Sequence, residues 1–95
     1  MSVSVQLSQR ARNDIDGILD NVSEFTGFAT TADKLLAEFL KTFELIAFMP
    51  NGMGRLREDG LREAFCRGYR IVYKFVDDSV YIITIIHSRR LYPRL

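Results

Sequence analysis

The sequence predicts an α+β domain in which a helical hairpin packs on a small, mainly antiparallel sheet, in the order β-α-α-β-β-β. Three observations carry this. Apolar residues recur at spacings of three and four through residues 11–47, the period of helices with one buried face. They alternate one in two over the first seven residues and again along residues 69–76, the period of strands. Glycine, proline or paired aspartates mark most changes between the two patterns, as chain-reversing segments require.

Val3, Val5 and Leu7 alternate with Ser4 and Gln6, so the first element is a short half-buried strand. Ser8 follows as a helix cap, because its hydroxyl can accept from an otherwise unpaired first-turn amide. Ala11, Ile15, Ile18, Leu19, Val22 and Phe25 then form one apolar face, with Arg12, Asn13, Asp16 and Asp20 opposite. Gly17 costs this helix about 1 kcal/mol relative to alanine without breaking its pattern. Gly27 ends it. Thr30 or Thr31 is the expected cap of the second helix, with Asp33 in its first turn. Its stripe of Ala32, Leu35, Leu36, Phe39, Leu40, Phe43, Ile46 and Ala47 is greasier, and Phe39, Phe43 and Phe48 are expected to pack in the core. Pro50 stops it, and the short connection at Gly27 sets the two helices antiparallel.

"PNGMGR" reads as loop, and the chain stays polar to Gly60. Strands are expected over residues 62–67, 69–76 and 80–87, the last two joined by Asp77, Asp78 and Ser79 as a hairpin connection. Ile71, Tyr73 and Phe75 alternate with Arg70, Val72 and Lys74, so one face is apolar and the other mixed. That asymmetry is expected when helices cover one side of a sheet.

At 95 residues, with 47% hydrophobic and 26% charged side chains, the chain has apolar material for one core, a single domain over residues 1–95. No apolar run approaches the roughly 18 to 20 residues that span a bilayer. The opening "MSVSVQLSQRA" has no signal-peptide pattern, so a cytoplasmic protein is expected. One cysteine, Cys66, cannot form an intrachain disulfide or a cysteine-rich zinc site, and with one histidine neither metal nor cofactor is expected. The net charge of +1 hides an asymmetry. Residues 1–54 carry four basic and seven acidic side chains, −3, and residues 55–95 nine basic and five acidic, +4. Eight of the ten arginines lie in the second half, where their planar forks suit carboxylates and phosphates.

His87 ends the apolar run "IITII" and could act as a proton carrier, since an ordinary imidazole titrates near neutrality. Cleavage of RNA needs a group to deprotonate the 2′-hydroxyl, another to protonate the leaving oxygen, and cations for the developing charge. Arg62, Arg70, Arg89 and Arg90 could supply the cations, and Tyr92 or Glu63 the second proton carrier. The ordinary alternative for His87 is a hydrogen-bonded structural residue. Arg55, Arg57, Arg62, Arg67 and Arg70, with Arg89, Arg90 and Arg94 of the tail, could be gathered by strand pairing into one groove for phosphates or an acidic peptide. Otherwise they are exposed charges that protect a sheet edge. Tyr73 is expected in the core and Cys66 as a small buried residue; Gly52 and Gly54 fit a turn, not a phosphate-binding loop.

The stretches "FTGFATTADKLLAEFLKTFELIAFMPNGMGR" and "LREAFCRGYRIVYKFVDDSVYIITIIHSRR" resemble the RelE/ParE superfamily of bacterial toxins from type II toxin–antitoxin pairs over nearly the whole chain. The resemblance rests on the order of Pro50, Gly54 and Arg55, then Leu61-Arg62-Glu63, "YRIVY", the Asp-Asp turn and His87 to Arg90. It implies a toxin held inactive by a cognate antitoxin whose flexible segment wraps it, with no small-molecule substrate. ParE-like members poison DNA gyrase and are not nucleases; RelE-like members enter the ribosome and cut messenger RNA. In the second case His87, Arg62, Arg89 and Tyr92 would be the catalytic set, and Arg55, Arg57, Arg67, Arg70, Arg90 and Arg94 the binding surface in either. The "IIHSRR" ending with Tyr92-Pro93 resembles ParE-type tails. Lys74 as the single lysine after position 41, together with the low net charge, also favours the ParE side.

Overall fold

In the computed structural model, which describes residues 3–88, the chain runs β1 (Ser4–Leu7), α1 (Gln9–Thr26), α2 (Ala29–Phe48), β2 (Arg55–Leu56), β3 (Arg62–Cys66), β4 (Tyr69–Val76) and β5 (Ser79–His87). The α+β class and the expected order hold, with the two-residue β2 added inside the segment read as loop. The sheet order is β1-β5-β4-β3-β2. All its pairs are antiparallel except β1 with β5, which is parallel.

Ser8 caps α1 as expected, its Oγ accepting from the Ala11 amide at 3.0 Å. Gly27 ends the helix in the left-handed region at φ 74°, donating its amide to the Ser23 carbonyl, a conformation glycine adopts without a Cβ clash. The entry to α2 differs from expectation. The helix starts at Ala29 behind Phe28, which has no side-chain cap, so Thr30 and Thr31 lie inside its first turn and Asp33 beyond it. Thr26 takes up the Phe28 amide through Oγ1 at 3.2 Å, so the turn is closed from the preceding helix.

Ala11 and Ile15 of α1 and Phe39, Phe43 and Ile46 of α2 meet Ala64, Cys66, Ile71, Tyr73, Val80, Ile82 and Ile85 of the sheet in one core. Three expected apolar positions are exposed instead: Phe25, Leu40 and Phe48 are 93%, 50% and 60% exposed. Phe25 closes α1 at the tip of the hairpin, and the α2 stripe is wider than the arc the sheet can cover.

Two tight hairpins fix the register. Arg67 and Gly68, then Asp77 and Asp78, all have positive φ, matching the right-handed twist of the strands they join. Arg67 therefore belongs to a turn, and Ser79, opposite Val76, belongs to β5. Between Val72–Thr84 and Tyr73–Ile82 the register shifts, leaving Ile83 as the extra residue of a bulge.

β1 accompanies β5 only as far as Ile82. Beyond it, the Ser8 cap and Asp14 of α1 serve the outer edge of β5. Ser8 Oγ donates to the Ile83 carbonyl at 2.6 Å, and Asp14 Oδ2 accepts from the Ile85 amide at 3.0 Å and from Thr84 Oγ1 at 2.5 Å. An edge that could recruit another chain is thereby closed.

Candidate functional site

Alternation along β3 turns Ala64 and Cys66 towards the helices and Glu63 and Phe65 to the other face. Pairing sets Arg55 of β2 opposite Glu63, and Arg70 of β4 one row along, opposite Phe65. Three guanidinium groups consequently converge on one carboxylate. Arg55 donates to Glu63 Oε1 at 2.7 Å, Arg57 to Oε2 at 3.0 Å, and Arg70 Nε stands 3.5 Å from Oε2. Glu63 is 4% exposed. A carboxylate so far out of water is tolerable only when paired and hydrogen-bonded. Arg57 also meets Asp59 at 3.2 Å. Burial works against the Arg57 charge, but hydrogen bonds and charges from Asp59 and Glu63 outweigh it and hold its pKa above the ordinary value. For Asp59, desolvation acts upward, yet the Arg57 guanidinium and the Leu61 amide bring its pKa below the usual aspartate value.

The same face carries two cation–ring contacts. The Arg70 guanidinium lies 5.8 Å from the Phe65 centroid and the Lys74 ammonium 5.5 Å from that of Tyr81. Arg70 Nη2 also donates to the Ser88 carbonyl at 2.7 Å, tying the end of β5 to the arginine cluster.

Arg62 stands elsewhere. By alternation it shares the side of Ala64 and Cys66, and its Nη1 donates to the Asn51 and Gly54 carbonyls at 3.0 and 3.1 Å. Tyr73 donates its hydroxyl to the Pro50 carbonyl at 2.9 Å. Gly54 is required by this packing, because a Cβ there would lie 2.4 Å from the Tyr73 hydroxyl. Burial raises the Tyr73 pKa against the opposing effects of the Arg62 charge and the Gly54 backbone. Arg62 and Tyr73 thus clamp the loop between α2 and β2.

His87 is exposed at the far end of β5, edge-on to Tyr69 with centroids 5.7 Å apart. It lines an open cavity of about 490 Å³ shared with Arg10, Asn13, Asp14, Ile18 and Tyr69. Arg62 pairs Tyr73 and His87 pairs Tyr69, four positions apart along β4. At ~3.3 Å per residue the offset along the strands is ~13 Å, and with Arg62 turned onto the Asn51 and Gly54 carbonyls the two do not converge on one phosphate.

The expected arginine set is therefore divided. Arg55, Arg57 and Arg70 gather around Glu63; Arg62 holds the loop; Arg67 sits in its turn, 3.3 Å from Glu38 of α2. Glu63, considered as a proton carrier, is enclosed by guanidinium groups. Arg89, Arg90, Tyr92 and Arg94 lie outside the described residues. Sequence reasoning missed Arg10, Asn13 and Asp14 as cavity residues. The spacing of Arg10, Asp14, Gly17 and Asn21 by four, three and four marks one helix face, and this was the available signal. Among the described residues no group of three or more His, Cys, Asp or Glu could hold a metal ion, and no helix is long and apolar enough to cross a membrane.

No curated protein matches the chain in sequence. A structure described as the chromosomal ParDE toxin–antitoxin system from P. aeruginosa superposes with a TM-score of 0.81 at 20% identity, over 90% of this chain and 96% of that one. The toxin–antitoxin complex RelBE2 from Mycobacterium tuberculosis gives 0.58 at 23% identity, over 92% and 99%. At these identities the likeness is one of fold. The family model described as the ParE toxin of the type II toxin–antitoxin system, parDE, matches residues 5–92. The chain belongs to the ParE toxin family of type II toxin–antitoxin systems.

Proposed function

We propose that this toxin is a ParE-like inhibitor of DNA gyrase, acting in the cytoplasm and restrained by a cognate antitoxin. The family match supports the ParE side of the superfamily. The observation that carries the reading is the separation of Arg62 from His87, with the Arg62 guanidinium committed to two loop carbonyls. General acid–base cleavage of RNA needs its proton carriers and cations within reach of a single phosphate. A toxin that acts by binding needs only a shaped, charged surface, and the Glu63 cluster supplies one.

Purified toxin added to gyrase, ATP and plasmid is expected to block supercoiling or accumulate cleaved DNA, and a His87→Ala variant to retain that effect. An unaffected gyrase, together with codon-associated cuts in translated messages that His87→Ala abolishes, would overturn the reading in favour of a ribosome-dependent nuclease.

A further inference from the structure

We propose that β1 is a self-association edge, where a second copy of this chain adds its own β1 antiparallel about a two-fold axis at Val5, whatever target the toxin acts on. The Ser8 amide donates to the Ile82 carbonyl at 3.0 Å, so alternation along the strand turns the backbone of Ser4 and Gln6 towards β5 and that of Val5 and Leu7 outward. β1 ends the sheet order, and among the described residues no strand pairs its outer side. The Val3 amide is taken up by the Ala47 carbonyl at 3.1 Å, but the Val3 carbonyl stays on the open edge. An antiparallel copy centred on Val5 joins the Val5 amide to its Val5 carbonyl and the Leu7 amide to its Val3 carbonyl, and symmetry makes each bond twice.

The two edges of the sheet are built differently. β2 is two residues long and carries Arg55, with Arg57 just beyond it, the short and charged form that discourages pairing. β1 carries no charge and no proline, so nothing on it repels an identical strand. Beside it, Leu40 and Phe48 of α2, both exposed, wall an open cavity of about 640 Å³ shared with Val5 and Leu7. A two-fold axis normal to the sheet keeps the helices of both copies on one side, so Leu40 and Phe48 of one copy face those of the other. A short strand pair is marginal in water by itself, and these side chains supply the apolar contact that holds the copies together. Charge identifies the occupant. Lys41 and Glu44 are exposed on the same stretch of α2 and cancel, and a patch with one cation and one anion is complementary to itself, each Lys41 meeting Glu44 of the other copy. A strongly acidic segment or a nucleic acid finds no excess of cations there.

Sedimentation velocity over a concentration series of the purified toxin is expected to show a monomer–dimer equilibrium. Hydrogen exchange at the Val5 and Leu7 amides should slow as concentration rises, while that at Gln6, already turned to β5, stays constant. Leu40→Glu combined with Phe48→Ser, both at exposed positions, should weaken the dimer about tenfold or more at an unchanged melting temperature of the monomer. Lys41→Glu should weaken it about threefold, and adding Glu44→Lys should restore it, because the reversed pair is again complementary. A toxin that stays monomeric at every concentration would overturn the proposal, as would a dimer indifferent to the α2 variants with Val5 and Leu7 exchange unchanged. Protection of Val5 and Leu7 that arises only when the protein encoded beside the toxin gene is added would overturn it too, giving the edge to that protein instead of a second copy.

Discussion

The two faces of the sheet are organised by opposite physics. Towards the helices, Ile71, Tyr73, Ile82 and Ile85 meet Phe39, Phe43 and Ile46, nearly all of them removed from water, and burial of apolar area stabilises the layer. Away from the helices, a 4%-exposed Glu63 is enclosed by arginines. That arrangement is weak evidence for stability, because desolvation offsets much of the attraction. The first face holds the fold; the second keeps charge in place, and charge is what a partner can read.

Substitutions separate the two, beginning with the most damaging. Phe39→Ala should destabilise by about 3–5 kcal/mol, as deletion of a buried ring does, and denaturant melts should show the loss. Glu63→Ala should cost about 3 kcal/mol, because Arg70 would be left partly buried without its carboxylate and Arg57 would keep only Asp59. Removing Arg57 as well should restore part of it, which a double-mutant cycle would measure. If Glu63→Ala proves harmless, the arginine face contributes nothing to the fold. Asp14→Ala should cost about 1–3 kcal/mol by leaving the Ile85 amide without its acceptor, with faster hydrogen exchange at that amide. Tyr73→Phe should cost about 1 kcal/mol and remove a pH effect. The native phenol titrates above its usual value of 10.0, so unfolded chains lose this proton first. Its stabilisation is complete below pH 10 and declines as pH rises through the raised native pKa. Melting temperatures from pH 8 to 11 should therefore fall more steeply in wild type than in Tyr73→Phe.

Much of the architecture was legible because it is local. Ser8, Gly27, Pro50 and the Asp77-Asp78 turn each act on backbone within a few residues of themselves, and each stands at or next to the boundary it was read to mark. β2 was illegible because two residues carry no periodicity. The start of α2 was misread because Thr26, on the preceding helix, did the work assigned to Thr30 or Thr31. The arginines divided cleanly only in three dimensions. Side-chain alternation sends Arg62 and Glu63 to opposite faces, which the sequence could indicate, whereas the choice of Glu63 as the shared anion depends on β2 and β4 arriving from either side. His87 was recognised as a strand-end residue, but its neighbours on α1 follow from helix packing.

The parallel pairing of β1 with β5 joins Ser4 to Ser79, near the two ends of the chain. Such distant pairings close late, and β5 is also the strand on which β4 depends. A ribosome making this protein therefore releases most of the polypeptide before the sheet can be completed. Synthesis itself then delays the appearance of a finished fold until the last strand slots in.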